Sequence, residues 1–181
     1  MRNKSGPESR DKMAALVALH AGYSCRPWQK EDRNTVGEII QVVLEEYGLP
    51  FEPLGEDKDA LCVEDFYWQE DKGEFWVVLD PAGTVVGTSA FLQSHQGPKC
   101  VEIRKMYLLP RARGQGLGNA LLRLMEERIQ LKGYESMYVQ TATVLKEACS
   151  MYKKAGYRIN TSGAETPRCD ILLSKPVQST Q

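Results

Sequence analysis

Between Leu109 and Asn119 the chain reads Leu-Pro-Arg-Ala-Arg-Gly-Gln-Gly-Leu-Gly-Asn, with three glycines and two arginines where one kind of element gives way to another. Such a stretch can hold an anion. The first N–H groups of a helix have no intrahelical partner and lie at the positive end of its dipole. Side-chain-free Gly114, Gly116 and Gly118 would let a phosphate approach them closely. A flexible connector is the plainer reading of a lone Gly-x-Gly. Here the flanking pattern decides against it.

Before the glycines, Val101 to Leu108 carries apolar residues at 101, 103, 106 and 108, mostly alternating with polar ones as in a half-buried strand. After them, Leu117, Leu121, Leu122, Leu124, Met125 and Ile129 recur at steps of three and four, the period of an amphipathic helix. The glycine loop therefore joins a strand to a helix. It lacks the Gly-Lys-Ser/Thr ending of a nucleotide P-loop, and its strand is expected to be antiparallel. A dinucleotide fingerprint instead opens a parallel strand-helix-strand unit.

At 181 residues the chain has the length of one domain, able to bury a core without staples. Its 23 Lys+Arg against 24 Asp+Glu give a net charge of -1, so nothing global draws it to nucleic acid or an anionic membrane. Cys25, Cys62, Cys100, Cys149 and Cys169 are widely spaced and odd in number. They predict free thiols in a reducing compartment, taken as the cytoplasm. His20 and His95 are the only histidines, so no metal site is expected. The apolar run Ala14 to Leu19 is too short to span a bilayer.

The expected organisation is a tail over residues 1–22, a single domain over 23–175 and a frayed end over 176–181. Tyr23 to Trp28 predicts a first strand. Asp32 is placed to cap a helix whose apolar stripe is Val36, Ile39, Ile40, Val43, Leu44 and Tyr47, and Lys58 to Gln69 predicts a second helix. Phe75 to Leu79 and Thr84 to Leu92, joined by Asp80-Pro81-Ala82-Gly83, predict a hairpin that continues into the strand at 101–108. A strand at Ser136 to Gln140 and a helix at Lys146 to Lys154 follow. Tyr157 to Ile159 and Cys169 to Leu173 then form a last hairpin, whose edge could support a homodimer. This order predicts an α/β (α+β) fold: a mixed, mostly antiparallel sheet of about six to seven strands flanked by about four helices.

The motif Pro110-x-x-Arg113-Gly114-x-Gly116-x-Gly118, with Tyr152-x-x-x-Gly156-Tyr157 downstream, resembles the GNAT superfamily of acetyl-CoA-dependent N-acetyltransferases. The likeness runs over residues 23–173 by element order and is most specific over 101–157. It implies acetyl-CoA as acetyl donor, held at the diphosphate by Arg113, Gly114, Gln115, Gly116, Leu117, Gly118 and Asn119, with pantetheine beside Met106, Tyr107 and Leu108. It implies that Tyr152 protonates the departing thiolate. Glu102 is the candidate base for the attacking amine, since a protonated amine cannot attack. Each residue has a plainer reading: Glu102 as a solvated strand residue or an ion-pair partner of Arg104 or Lys105, Tyr152 as a core aromatic, Arg113 as surface charge rather than a phosphate contact or loop brace, Cys149 as packing.

Many family members carry an asparagine before the tyrosine helix. This chain has Thr141-Ala142-Thr143-Val144-Leu145-Lys146, leaving Thr141 or Thr143 as a substitute contact. On the acceptor side, Glu45, Glu46, Glu52, Glu56, Asp57, Asp59, Glu64 and Asp65 would attract a cationic amine, or would form a solvated face. The acceptor implied is a primary amine: a small amine, an amino acid or a protein amino group. The alternative is a GNAT-fold module that binds or senses acyl-CoA without turnover.

Overall fold

The computed structural model describes residues 16–69, 72–160, 163–164 and 166–178. The tail expected over 1–22 lies outside these as far as residue 15. Beyond it a two-residue strand, β1 (Val17–Ala18), pairs with β2 (Ser24–Pro27). Then come α1 (Arg33–Glu46), two single turns α2 (Lys58–Leu61) and α3 (Val63–Phe66), and a meander of β3 (Gly73–Leu79), β4 (Val85–Gln93) and β5 (Cys100–Leu108). The second half holds α4 (Leu117–Leu131), β6 (Ser136–Thr141), α5 (Lys146–Lys154), β7 (Arg158–Ile159) and β8 (Ile171–Pro176).

The eight strands of the described residues form one sheet in the order β1-β2-β3-β4-β5-β6-β8-β7. Every pairing is antiparallel except β5 with β6. The strand before the glycine loop is thus antiparallel to β4 but opens a parallel strand-helix-strand unit with α4 and β6, which corrects the expectation of a purely antiparallel strand there. The architecture is the mixed α/β one expected, with one strand more than the upper estimate.

Helices cover both faces, which explains the unbroken apolar run in β3. Its side chains alternate between two cores. Phe75 and Val77 join Trp28, Val36, Ile40, Leu44, Val63 and Tyr67 under α1 to α3. Trp76 and Val78 join Val101, Ile103, Leu117, Leu121, Met125 and Tyr152 under α4 and α5. Each fully buried aliphatic side chain among these contributes about 1.5–3 kcal/mol of transfer free energy.

Four local expectations need correction. Asp32 does not cap α1: its carboxylate accepts the Gln29 N–H at 2.7 Å and two bonds from Arg26 at 2.7 and 2.8 Å, so it braces the turn into the helix. The helix expected over Lys58 to Gln69 breaks at Cys62, which takes φ -126° and ψ 49°. The last strand runs from Ile171 to Pro176 rather than from Cys169 to Leu173, because β6 extends beside it and pairs Ser136 with Pro176. β8 is also no free edge, since Leu173 and Ser174 pair with β7 on one side and with β6 on the other. No helix among the described residues is long and apolar enough to cross a membrane.

Candidate active site

The site begins with a pairing that stops early. β5 and β6 run together only from Cys100 opposite Ser136 to Ile103 opposite Val139. β6 then continues to Thr141 with β8, and β5 continues to Leu108 with β4. Between the diverging strands lies a cleft of about 480 Å³.

A bulge in β5 sits where they part. Thr88 and Ala90, two positions apart on β4, face Tyr107 and Arg104, three apart on β5. The extra residue lets Arg104 and Lys105 lie on one side of the strand, where both reach Asp59, at 3.2 Å each. Lys105 takes φ 53°, a conformation that costs an L residue about 1–3 kcal/mol. Its carbonyl accepts the Thr88 hydroxyl at 2.6 Å. Its ammonium is bonded to Asp57 Oδ1 at 2.6 Å and the Glu56 carbonyl at 2.7 Å. These contacts hold the strained residue in place.

At one end of the cleft α4 starts behind Gly116, whose φ of 77° favours a residue without Cβ. No side chain caps the helix. The first intrahelical bond at this end is Ala120 N–H to the Gly116 carbonyl at 3.1 Å, which leaves the N–H groups of 117–119 as the orphan donors of the first turn. Gly118 permits a close helix approach, since a Cβ there would lie 3.1 Å from the Met151 sulfur. Gly114, Leu117 and Asn119 also line the cleft.

Arg113 acts as a brace. Its Nε donates to the Leu108 carbonyl at 2.8 Å, its two Nη atoms grip Glu46 at 2.7 and 2.8 Å, and its guanidinium lies 5.8 Å from the Tyr47 ring centroid. Gln115 is not part of the lining; its amide reaches the Tyr23 hydroxyl at 3.3 Å. Arg111 lies at the surface, 3.9 Å from Asp80. Of the two threonines, Thr143 is committed to Asp170, through its hydroxyl at 2.6 Å and its N–H at 2.7 Å. Thr141 lines the cleft.

Midway, Tyr152 of α5 is buried, and its hydroxyl donates to the Met106 sulfur of β5 at 3.4 Å. Burial pushes its pKa well up, so the phenol is neutral. Cys149, one turn earlier, is a buried thiol directed at the Ala142 carbonyl at 3.6 Å. Burial raises it too, which suits packing rather than nucleophilic attack.

Glu102 sits at the other end, in the last turn of the pleat before the strands part, and lines the cleft. Loss of solvent raises its pKa above the usual carboxylate range, with the Arg104 charge opposing. Arg104 Nη1 lies 3.6 Å from its Oε2, and the Gln140 amide 3.5 Å from its Oε1. The ion-pair reading and the cleft position are thus both true of this residue.

The acidic segment divides: Glu45, Glu46, Glu52 and Asp65 are exposed, as a solvated face would have them, whereas Asp57 and Asp59 are buried among cations. Asp57, with no exposed side-chain area, is clamped by Arg168 at 2.6 and 3.0 Å as well as by Lys105. Asp59 accepts the Tyr67 hydroxyl at 2.5 Å and faces Arg104 and Lys105. Glu46 pairs with Arg113, Glu56 with Arg168 and Glu64 with Arg33. Arg104, Lys105, Arg168, Asp57 and Asp59 thus form a buried charge network beside the cleft, with partners up to 111 residues apart. The consecutive cations Arg104-Lys105 inside an otherwise alternating strand were the one local sign of it.

The profile of the Acetyltransferase (GNAT) family matches residues 25–157. The uncharacterized N-acetyltransferase YjgM of Escherichia coli is 30% identical over 129 residues, 70% of this chain and 77% of that protein. N-acetylaspartate synthetase of Rattus norvegicus is 34% identical over 101 residues, 55% of this chain but 33% of that protein. Among solved structures, an acetyltransferase of the GNAT family from Staphylococcus aureus superposes with a TM-score of 0.77 at 15% identity, covering 86% of this chain and 99% of that one. A GNAT superfamily phosphinothricin acetyltransferase from Sinorhizobium meliloti, in complex with acetyl-CoA, gives 0.67 at 21% identity over 86% and 89%. These structural likenesses show the fold. The chain belongs to the GNAT family of acetyltransferases. It is an N-acetyltransferase of that family.

Proposed function

We propose that this chain transfers the acetyl group of acetyl-CoA to a primary amine, which attacks directly while both substrates occupy the cleft. One observation carries the reading: along β5, a single cleft has an open helix N-terminus at one end, a neutral buried phenol in the middle and a partly buried carboxylate at the other. Acetyl-CoA supplies an acyl group already activated as a thioester.

The residues present suit such a donor. The N–H groups from Gly114 to Asn119 hold its diphosphate, with Arg113, whose own N–H is bonded to the Pro110 carbonyl at 3.1 Å, fixing the loop rather than reaching into solvent. The β5 edge at Met106, Tyr107 and Leu108, where β6 has left, faces the pantetheine. A backbone N–H near Met106 polarises the acyl oxygen. Glu102 accepts the amine proton, directly or through water, and its raised pKa makes it a stronger base than an ordinary glutamate. Tyr152 stays protonated throughout the neutral range and gives its proton to the departing sulfur, so an O–H bond breaks as an S–H bond forms.

A thiol-release assay over a panel of amines, wild type against Tyr152→Phe, tests this. The expected result is CoA release with at least one amine, falling about a hundredfold or more in kcat for the variant while acetyl-CoA affinity is retained. If acetyl-CoA binds and no amine elicits release, the chain is an acyl-CoA binding module instead.

A further inference from the structure

Three cations line the cleft at its acceptor end, and they differ in one respect. Lys105 donates to Asp57 and the Glu56 carbonyl and also faces Asp59. Arg168 donates three times, to Asp57 twice and to the Pro50 carbonyl, and its Nε lies 3.2 Å from Glu56. Both are saturated. Arg104 has two ion pairs, Asp59 at 3.2 Å and Glu102 at 3.6 Å, and its guanidinium donates no hydrogen bond among the described residues. Its buried Nε is the atom facing Asp59 and makes no hydrogen bond among the described residues, so the donors that can serve the cleft are those of the two Nη atoms.

A guanidinium carries five donors in a planar fork and is costly to hold out of water with those donors idle. Yet Arg104 is held in place. Asp59 faces it while accepting the Tyr67 hydroxyl and facing Lys105, so the carboxylate that positions Arg104 is itself fixed from two sides. The side chain keeps 26% of its area exposed, on the cleft. An idle fork, fixed behind and open in front, is suited to an anion with two oxygens.

Its neighbour says what that anion is attached to. Glu102 and Arg104 are two residues apart on one face of β5, ahead of the bulge, and their side chains meet at 3.6 Å. A carboxylate and a guanidinium this close form the electrostatic complement of a molecule whose amine and carboxylate are also close. An α-amino acid separates its amine from its carboxyl carbon by one carbon. With its carboxylate on Arg104, its amine lies beside Glu102.

We propose that the acceptor is a free α-amino acid, its carboxylate bound by the Arg104 guanidinium and its amine presented to Glu102. This rests on the acetyl-transfer reading above. It narrows that reading from amines in general to amines bearing an adjacent carboxylate, and it makes Arg104 the residue that selects them. Amines without an anion at that position leave the fork unpaired and are rejected.

The test uses the full chain with acetyl-CoA and the twenty common amino acids, each beside its own carboxamide. CoA release is expected with one or more free amino acids, and kcat/KM for the matching carboxamide should be lower by about tenfold or more. In Arg104→Gln and Arg104→Lys that ratio should fall toward one, through a rise in the amino acid's KM. Both variants are checked for thermal unfolding and acetyl-CoA binding, and Arg104→Lys keeps the charge should Arg104→Gln fail to fold. Equal turnover of acids and carboxamides, or an unchanged ratio in a folded Arg104→Lys, overturns the proposal while leaving acetyl transfer intact. Binding of acetyl-CoA with no release from any amine overturns both.

Discussion

The two ends of the cleft are built from different material. At the end proposed for the cofactor the candidate groups are backbone N–H donors behind Gly116, contributed by one continuous loop and the first turn of α4. At the acceptor end they are buried charged side chains from the α1–α2 connection, β5 and the segment before β8, brought together across 111 residues of sequence. Backbone donors need only the right dihedrals, which local sequence dictates. Buried charges need partners, and only folding supplies those. The cofactor end should therefore lose affinity without losing stability when altered, and the acceptor end should lose stability first.

Asp57→Asn is the severest test of that contrast. It leaves Lys105 and Arg168 buried beside a neutral amide, and should destabilise the fold by about 3–5 kcal/mol in chemical denaturation. The same group gives a pH signature. Burial pushes the Asp57 pKa up, but the Arg168 hydrogen bonds and the Lys105 charge outweigh it and hold the carboxyl at about 2. Because the folded value lies below the unfolded one, this stabilisation is complete above about pH 4 and is lost as pH falls toward 2. Wild type should lose about 2 kcal/mol more than the Asn variant over that range. Parallel acid unfolding of the two would remove Asp57 from the account.

Glu102→Gln comes next. Turnover should drop by about 10²–10³-fold. The wild-type kcat/KM should rise with pH through a limb lying above the ordinary carboxylate range, because burial raises the pKa of this base. The variant should lack that limb, and a limb that persists assigns the base elsewhere.

At the opposite end, Gly116→Asp places a charged, Cβ-bearing residue at φ 77° on the helix N-terminus. Calorimetric acetyl-CoA affinity should fall about 30- to 100-fold, with the melting temperature changing far less than for Asp57→Asn. Affinity that survives this change would move the diphosphate off the loop. Glu46→Gln, which removes the exposed partner of Arg113, is the mildest: under about 1 kcal/mol by thermal unfolding. A larger loss would mean that the brace on the Leu108 carbonyl depends on it.

Much of this was legible beforehand. The helix over Lys146–Lys154 has the bounds its periodicity predicts, and the three-strand meander and the glycine-capped α4 follow theirs. The elements that departed did so where neighbours outweighed local pattern: Asp32 was drawn to Arg26, and the end of β8 was ordered by β6. The acidic run at 45–65 left two readings open because charge counted along a chain ignores the cations that fold onto part of it.

The sequence by itself determined the elements, the glycine loop, the positions of Tyr152 and Glu102, and the family. Each is written in residues near one another or in a period that one element imposes. Tertiary structure alone decided that β5 leaves β6 after Ile103, that the bulge turns Arg104 and Lys105 to one side, and that Asp57 and Arg168 meet. Those outcomes depend on which charges find each other once water is excluded, and no spacing along the chain encodes that. The same exclusion commits Lys105 and Arg168 to their acceptors and leaves Arg104 beside the cleft without a hydrogen bond among the described residues.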